Sequence, residues 1–107
     1  MKYIGRIEKD ISLCEKNEKM VVFGAGKGLK RLLDKLEQLQ IKDRVVCICD
    51  NNPEKQEKKI SGIRVVSLDY ALKNYRYENY IVYNQFCVEI CRQLISNGVQ
   101  KIHLIRS

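Results

Sequence analysis

A chain of 107 residues, 45% of them apolar, holds enough material for one compact core and not for two, which excludes a two-domain oxidoreductase. Lys and Arg outnumber Asp and Glu by 20 to 13, a formal charge of +7. The basic residues are spread along the chain, and Lys55, Lys58 and Lys59 alternate with Glu54 and Glu57, so no basic stripe with stacking aromatics points to nucleic acid. Five cysteines, an odd number, with Cys47 and Cys49 in apolar company, read as reduced, buried thiols and place the chain in the cytosol. Residues 1–19 are charged too regularly for a signal peptide. No stretch approaches the roughly 20 apolar residues of a membrane helix. The expectation is one soluble domain over 1–107.

In chain order, Ile4, Ile7, Ile11 and Cys14 recur at helical spacing and predict an amphipathic N-terminal helix within 1–18. A βα core over 19–107 follows. Met20 to Phe23 is a continuous apolar run that stops at Gly24, as in a strand buried on both faces. Leu29, Leu32, Leu33, Leu36 and Leu39 then repeat with a helical period to about Gln40. Arg44 to Cys49 is a second strand, ended by the turn formers Asp50-Asn51-Asn52-Pro53.

Ile63 to Val66 predicts a third strand, with Gly62 as the bend before it, and Ser67 caps a helix through Ala71 and Leu72. Tyr80 to Tyr83 is a fourth strand. Val88, Ile90, Cys91, Leu94 and Ile95 mark the next helix, which stops at Asn97-Gly98, and Lys101 to Ile105 is the last strand. Alternation of this kind predicts an α/β fold of three layers, with about five parallel strands in the order 3-2-1-4-5, helices on both faces and an extra N-terminal helix.

The chemistry concentrates at one corner. Gly24-Ala25-Gly26-Lys27-Gly28 stands where the first core strand hands over to its helix. There glycine permits the tight turn, the backbone can approach a pyrophosphate, and free helix-start N–H groups face an anion. Lys27 offers a point charge or stays in solvent. The dinucleotide pattern wants its third glycine at position 29, where this chain has Leu29 with the glycine one place early. Asp50 ends the second strand 22 residues after Gly28, at the spacing of an acid that accepts from ribose hydroxyls. Two roles are open to it: sugar ligand, or starter of its own Asx turn. Asn51 has the same two readings, contact to a ligand or turn duty.

His103 is the only histidine, so no Ser-His or Cys-His catalytic pair forms away from the last strand, and no catalytic residue is expected. The pairs Cys47/Cys49 and Cys87/Cys91 each share a face but belong to separate parts of the sheet, so no metal site is expected.

Val21 to Lys27, Cys49 to Gln56 and Ile60 to Val65 together resemble a known group. They are similar to the Rossmann-like front domains of bacterial sugar acetyltransferases and of nucleotide-sugar dehydratases and epimerases of surface-polysaccharide synthesis. The resemblance covers about residues 19–105. It implies that the turn at Gly24, Gly26 and Lys27, with Asp50, contacts a nucleotide or UDP-sugar, and that catalysis, where present, resides in another domain; Ala25 and Gly28 of the same turn complete the candidate site, with NAD or a UDP-sugar-type nucleotide as the expected ligand. This chain places Asn84-Gln85-Phe86 after the fourth strand. Asn84 and Gln85 stand at a strand's carboxyl end, where ligands of open α/β sheets bind, and are added to the candidate site. The expected partners are a small nucleotide and either a second copy or an enzyme domain. The alternative is a domain that has lost the ligand and docks to a partner enzyme.

Overall fold

A computed structural model of the protein describes residues 2–4, 18–83 and 87–105. Its strands are β1 (Lys2–Ile4), β2 (Met20–Phe23), β3 (Val45–Cys49), β4 (Lys59–Ile60), β5 (Ile63–Val66), β6 (Asn79–Val82) and β7 (Ile102–Ile105). Its helices are α1 (Leu29–Gln38), α2 (Leu68–Tyr75) and α3 (Cys87–Ser96), with a 3-10 turn at Lys42–Arg44. The sheet runs β1-β7-β6-β2-β3-β5-β4.

Where the sequence predicts about five parallel strands, the described residues build a mixed sheet of seven. β1 lies parallel beside β7, and β4 lies antiparallel beside β5. Both additions close an edge that would otherwise expose unpaired N–H and C=O groups. The N-terminal helix expected over 1–18 is corrected in the same way, because Lys2–Ile4 pairs with His103–Ile105 as a strand. The rest of that prediction, residues 5–17, lies outside the described residues.

β4 and β5 form a hairpin rather than a bend at Gly62 alone. Ser61 (φ 52°) and Gly62 (φ 80°) both take positive φ, as the two central residues of a type I′ turn require. β3 carries a register shift against β2: Met20 pairs with Val45, but Val21 pairs with Cys47. The extra residue, Val46, lets Val45 and Cys47 pack on opposite faces of the sheet.

Two cores result, one on each face. α1 supplies Leu29, Leu32, Leu33 and Leu36 to the face that also holds Met20, Val22, Ile48, Val65 and Ile81. Burying each such side chain fully is worth about 1.5–3 kcal/mol. α2 and α3 cover the other face, where Val21, Phe23, Cys47, Cys49, Tyr80 and Val82 meet Ala71, Leu72, Ile90, Cys91 and Leu94. Local signals set the helix ends. Ser67 Oγ accepts the Tyr70 N–H at 3.2 Å. At the end of α3, Gly98 takes φ 84° and Val99 N–H donates to the Leu94 carbonyl at 3.0 Å.

His103 is buried on the α1 face together with Asn79. Its Nε2 lies 2.9 Å from Asn79 Oδ1, while Asn79 Nδ2 donates to Glu18 Oε2 at 2.7 Å. With the amide nitrogen committed to the carboxylate, Asn79 Oδ1 is the acceptor and His103 Nε2 carries the proton. Among the described residues no helix is long and apolar enough to cross a membrane.

Candidate functional site

β2 and β6 are adjacent and parallel, but the chain leaves them in opposite directions. After β2 it enters α1 on one face; after β6 it enters α3 on the other. A crevice opens at the carboxyl edge of an α/β sheet wherever neighbouring connections part like this.

The glycine-rich turn stands at that crevice. Gly24 (φ 112°) turns the chain so that its N–H donates to the Cys49 carbonyl at 2.7 Å, a conformation few other residues adopt. Leu29 N–H closes back on the Gly26 carbonyl at 3.1 Å. Among the described residues nothing accepts from the N–H groups of Gly26, Lys27 or Gly28. Gly26 and Lys27 are exposed, and a Cβ on Gly26 would meet nothing within 4 Å. These three N–H groups stand just ahead of a ten-residue helix, Leu29–Gln38, whose N-terminal end carries the positive pole of its dipole.

Leu29 does not obstruct this corner. It is 4% exposed and lies in the core beneath α1. The close approach expected of a glycine at position 29 is made by Gly28, which faces Tyr83 at the end of β6.

Asp50 faces inward. Its Oδ2 accepts the Ala25 N–H at 2.7 Å and its Oδ1 accepts the Asn52 N–H at 2.8 Å. The second bond is the Asx turn that the sequence left open. The first ties the end of β3 to the glycine-rich turn, so the Ala25 N–H is already occupied. Lys55 Nζ donates to the Ala25 carbonyl at 3.3 Å, and Gln56 Nε2 donates to the Asp50 carbonyl at 3.0 Å.

Beside the turn lies an open cleft of about 300 Å³, walled by Phe23, Gly24, Asp50 and Asn51 on one side and by Glu89, Ile90 and Gln93 of α3 on the other. Asn51 and Gln93 exchange side-chain amide hydrogen bonds of 2.9 and 3.4 Å and bridge the two walls. Gly24, Ala25, Gly26, Lys27, Gly28, Asp50 and Asn51 are therefore gathered at one corner. Asn84, Gln85 and Phe86 lie outside the described residues. Lys55, Glu89 and Gln93 also stand at this corner, and nothing in the sequence singles them out. Lys55 and Gln93 stand 30 and 42 residues from their hydrogen-bond partners, and only the packing of α3 and the β3–β4 loop brings all three in.

Cys47 and Cys49 stay protonated near neutral pH. Burial pushes the Cys47 thiol from 9.0 up to about 12 and raises Cys49 and the Tyr80 phenol as well. Among the described residues no three His, Cys, Asp or Glu side chains are grouped to hold a metal ion.

The fold and this corner define a layered α/β domain with a glycine-rich strand-to-helix turn at the carboxyl edge of its sheet. Residues 16–105 match the family model described as C2185-like, N-terminal, and the chain belongs to that family. A comparison with curated proteins found no significant match.

Proposed function

We propose that the protein is a Rossmann-like binding module for a nucleotide or nucleotide-sugar of the UDP-sugar or NAD type, acting in the cytosol in carbohydrate or polysaccharide modification. The phosphates rest on the N–H groups of Gly26, Lys27 and Gly28, with Lys27 adding charge, and the remainder of the ligand lies in the cleft beside Asn51. One observation carries this reading: three successive backbone donors, Gly26 to Gly28, have no acceptor among the described residues, and the missing side chain of Gly26 leaves open space. The module supplies binding, and the chemistry belongs to a partner domain or enzyme.

Calorimetric titration of the pure protein with UDP-sugars, NAD and coenzyme A tests the reading. Heat that saturates with one of them supports it, and no heat with any of them counts against it.

A second reading, a docking domain that binds no nucleotide, is favoured by α3. Val88 and Ile95 are 57% and 52% exposed and lie seven residues apart on that helix, spacing that puts them on one side of it. Replacing Gly26 with valine separates the two readings. The docking reading predicts unchanged association with a partner enzyme, whereas the binding reading predicts loss of nucleotide affinity.

A further inference from the structure

We infer that Asp50 is a positioning residue for the anion-binding turn and not a ligand for a sugar hydroxyl; the inference rests on the binding proposed above. Asp50 makes four hydrogen bonds to three different segments. Its carboxylate takes the Ala25 N–H at 2.7 Å and the Asn52 N–H at 2.8 Å. Its own N–H donates to the Val66 carbonyl at 3.0 Å, and its carbonyl accepts from Gln56 Nε2 at 3.0 Å. A side chain fixed at both ends in this way is committed to the protein before any ligand arrives.

The bond to Ala25 has a direct consequence for the turn. Ala25 is gripped on both its backbone groups, its N–H by Asp50 and its carbonyl by Lys55 Nζ at 3.3 Å. Its amide is thereby withdrawn from the donor set, and the path of the chain into Gly26, Lys27 and Gly28 is fixed. The donors are oriented before binding, so the ligand does not have to order them. A carboxylate left bare beside a phosphate would repel it, whereas one already satisfied by two N–H donors presents less negative charge to the crevice.

The test compares the wild-type protein with Asp50→Asn through two readouts: amide hydrogen exchange at Ala25 to Gly28 without ligand, and affinity for inorganic pyrophosphate and for UDP. A positioning role predicts faster exchange at Ala25 and about tenfold weaker binding of both ligands, by the same factor. Weaker binding of UDP with pyrophosphate unaffected would make Asp50 a sugar ligand and overturn the inference. A lowered melting temperature with both affinities unchanged would make it purely structural and overturn it equally. If the wild type binds neither ligand, the binding proposal fails by itself. Exchange at Ala25 then decides the role of Asp50: acceleration supports the brace and unchanged exchange refutes it. Should Asp50→Asn not fold, Lys55→Met, which removes the grip on the Ala25 carbonyl, is predicted to lower both affinities together, and a drop for UDP alone would overturn the inference.

Discussion

The ring of Tyr83 occupies the space into which a side chain on Gly28 would project: a Cβ there would stand 2.9 Å from Tyr83 Cε1 and 3.1 Å from Cδ1. The first residues of α1 therefore lie directly against the end of β6, and glycine at 28 is a packing requirement. Gly28→Ala is expected to destabilise the protein by about 1–3 kcal/mol, through overpacking. In a denaturant double-mutant cycle with Tyr83→Ala the two losses should be less than additive, because the smaller residue relieves the contact. Gly26→Ala, which meets nothing within 4 Å, should change stability by no more than about 0.5 kcal/mol.

Tyr80, on β6, is fully buried in the core under α2 and α3, and its hydroxyl has no hydrogen-bond partner among the described residues. A buried, unsatisfied hydroxyl carries a desolvation penalty that removing the oxygen abolishes. Tyr80→Phe is therefore expected to stabilise the protein by about 1 kcal/mol, read as a higher urea midpoint with unchanged slope. A lower midpoint would show that the hydroxyl has a partner.

Stability should fall in alkali. Burial raises Cys47 from 9.0 to about 12 and pushes Cys49 and Tyr80 up too. Above pH 9 the unfolded chain loses the Cys47 proton that the folded chain retains, so the unfolded state binds fewer protons and stability declines as pH rises. The contribution is complete below pH 9 and disappears as pH climbs to about 12, with a slope of at most about 1.4 kcal/mol per pH unit for each group. Cys47→Ala should flatten the decline in unfolding curves between pH 9 and 11. At pH 8, iodoacetamide should label Cys47 and Cys49 in denaturant but spare them in the native protein.

Much of the architecture was legible because single segments announced it. The switch from the apolar run Met20–Phe23 to the leucine repeat of α1 marks a strand, a turn and a helix without outside information. Ser67 and Gly98 likewise mark their helix ends at the residues where the caps form. The edges were not legible. β4 has only two residues, one of them Lys59, and β1 owes its form to a partner about 100 residues away. Neither shows a period that a local pattern can reveal.

The site divides along the same line. That Gly24, Gly26 and Asp50 stand at one corner was legible because a turn and a strand end are local features. Which way the Asp50 carboxylate faces was not legible, since it depends on the Ala25 N–H arriving 25 residues away in sequence. Gly28 was legible as a glycine but not as the packing glycine, because its neighbour Tyr83 comes from another strand.

Receipt of phosphate by the backbone N–H groups of Gly26, Lys27 and Gly28 is open to direct test. A 15N–1H correlation spectrum recorded during titration with UDP-sugars and NAD tests it residue by residue. Large, saturable shifts are expected at those three amides, while Ala25, already held by Asp50, moves less. Saturable shifts confined to other surfaces, or spectra that stay unchanged with every nucleotide, would contradict it.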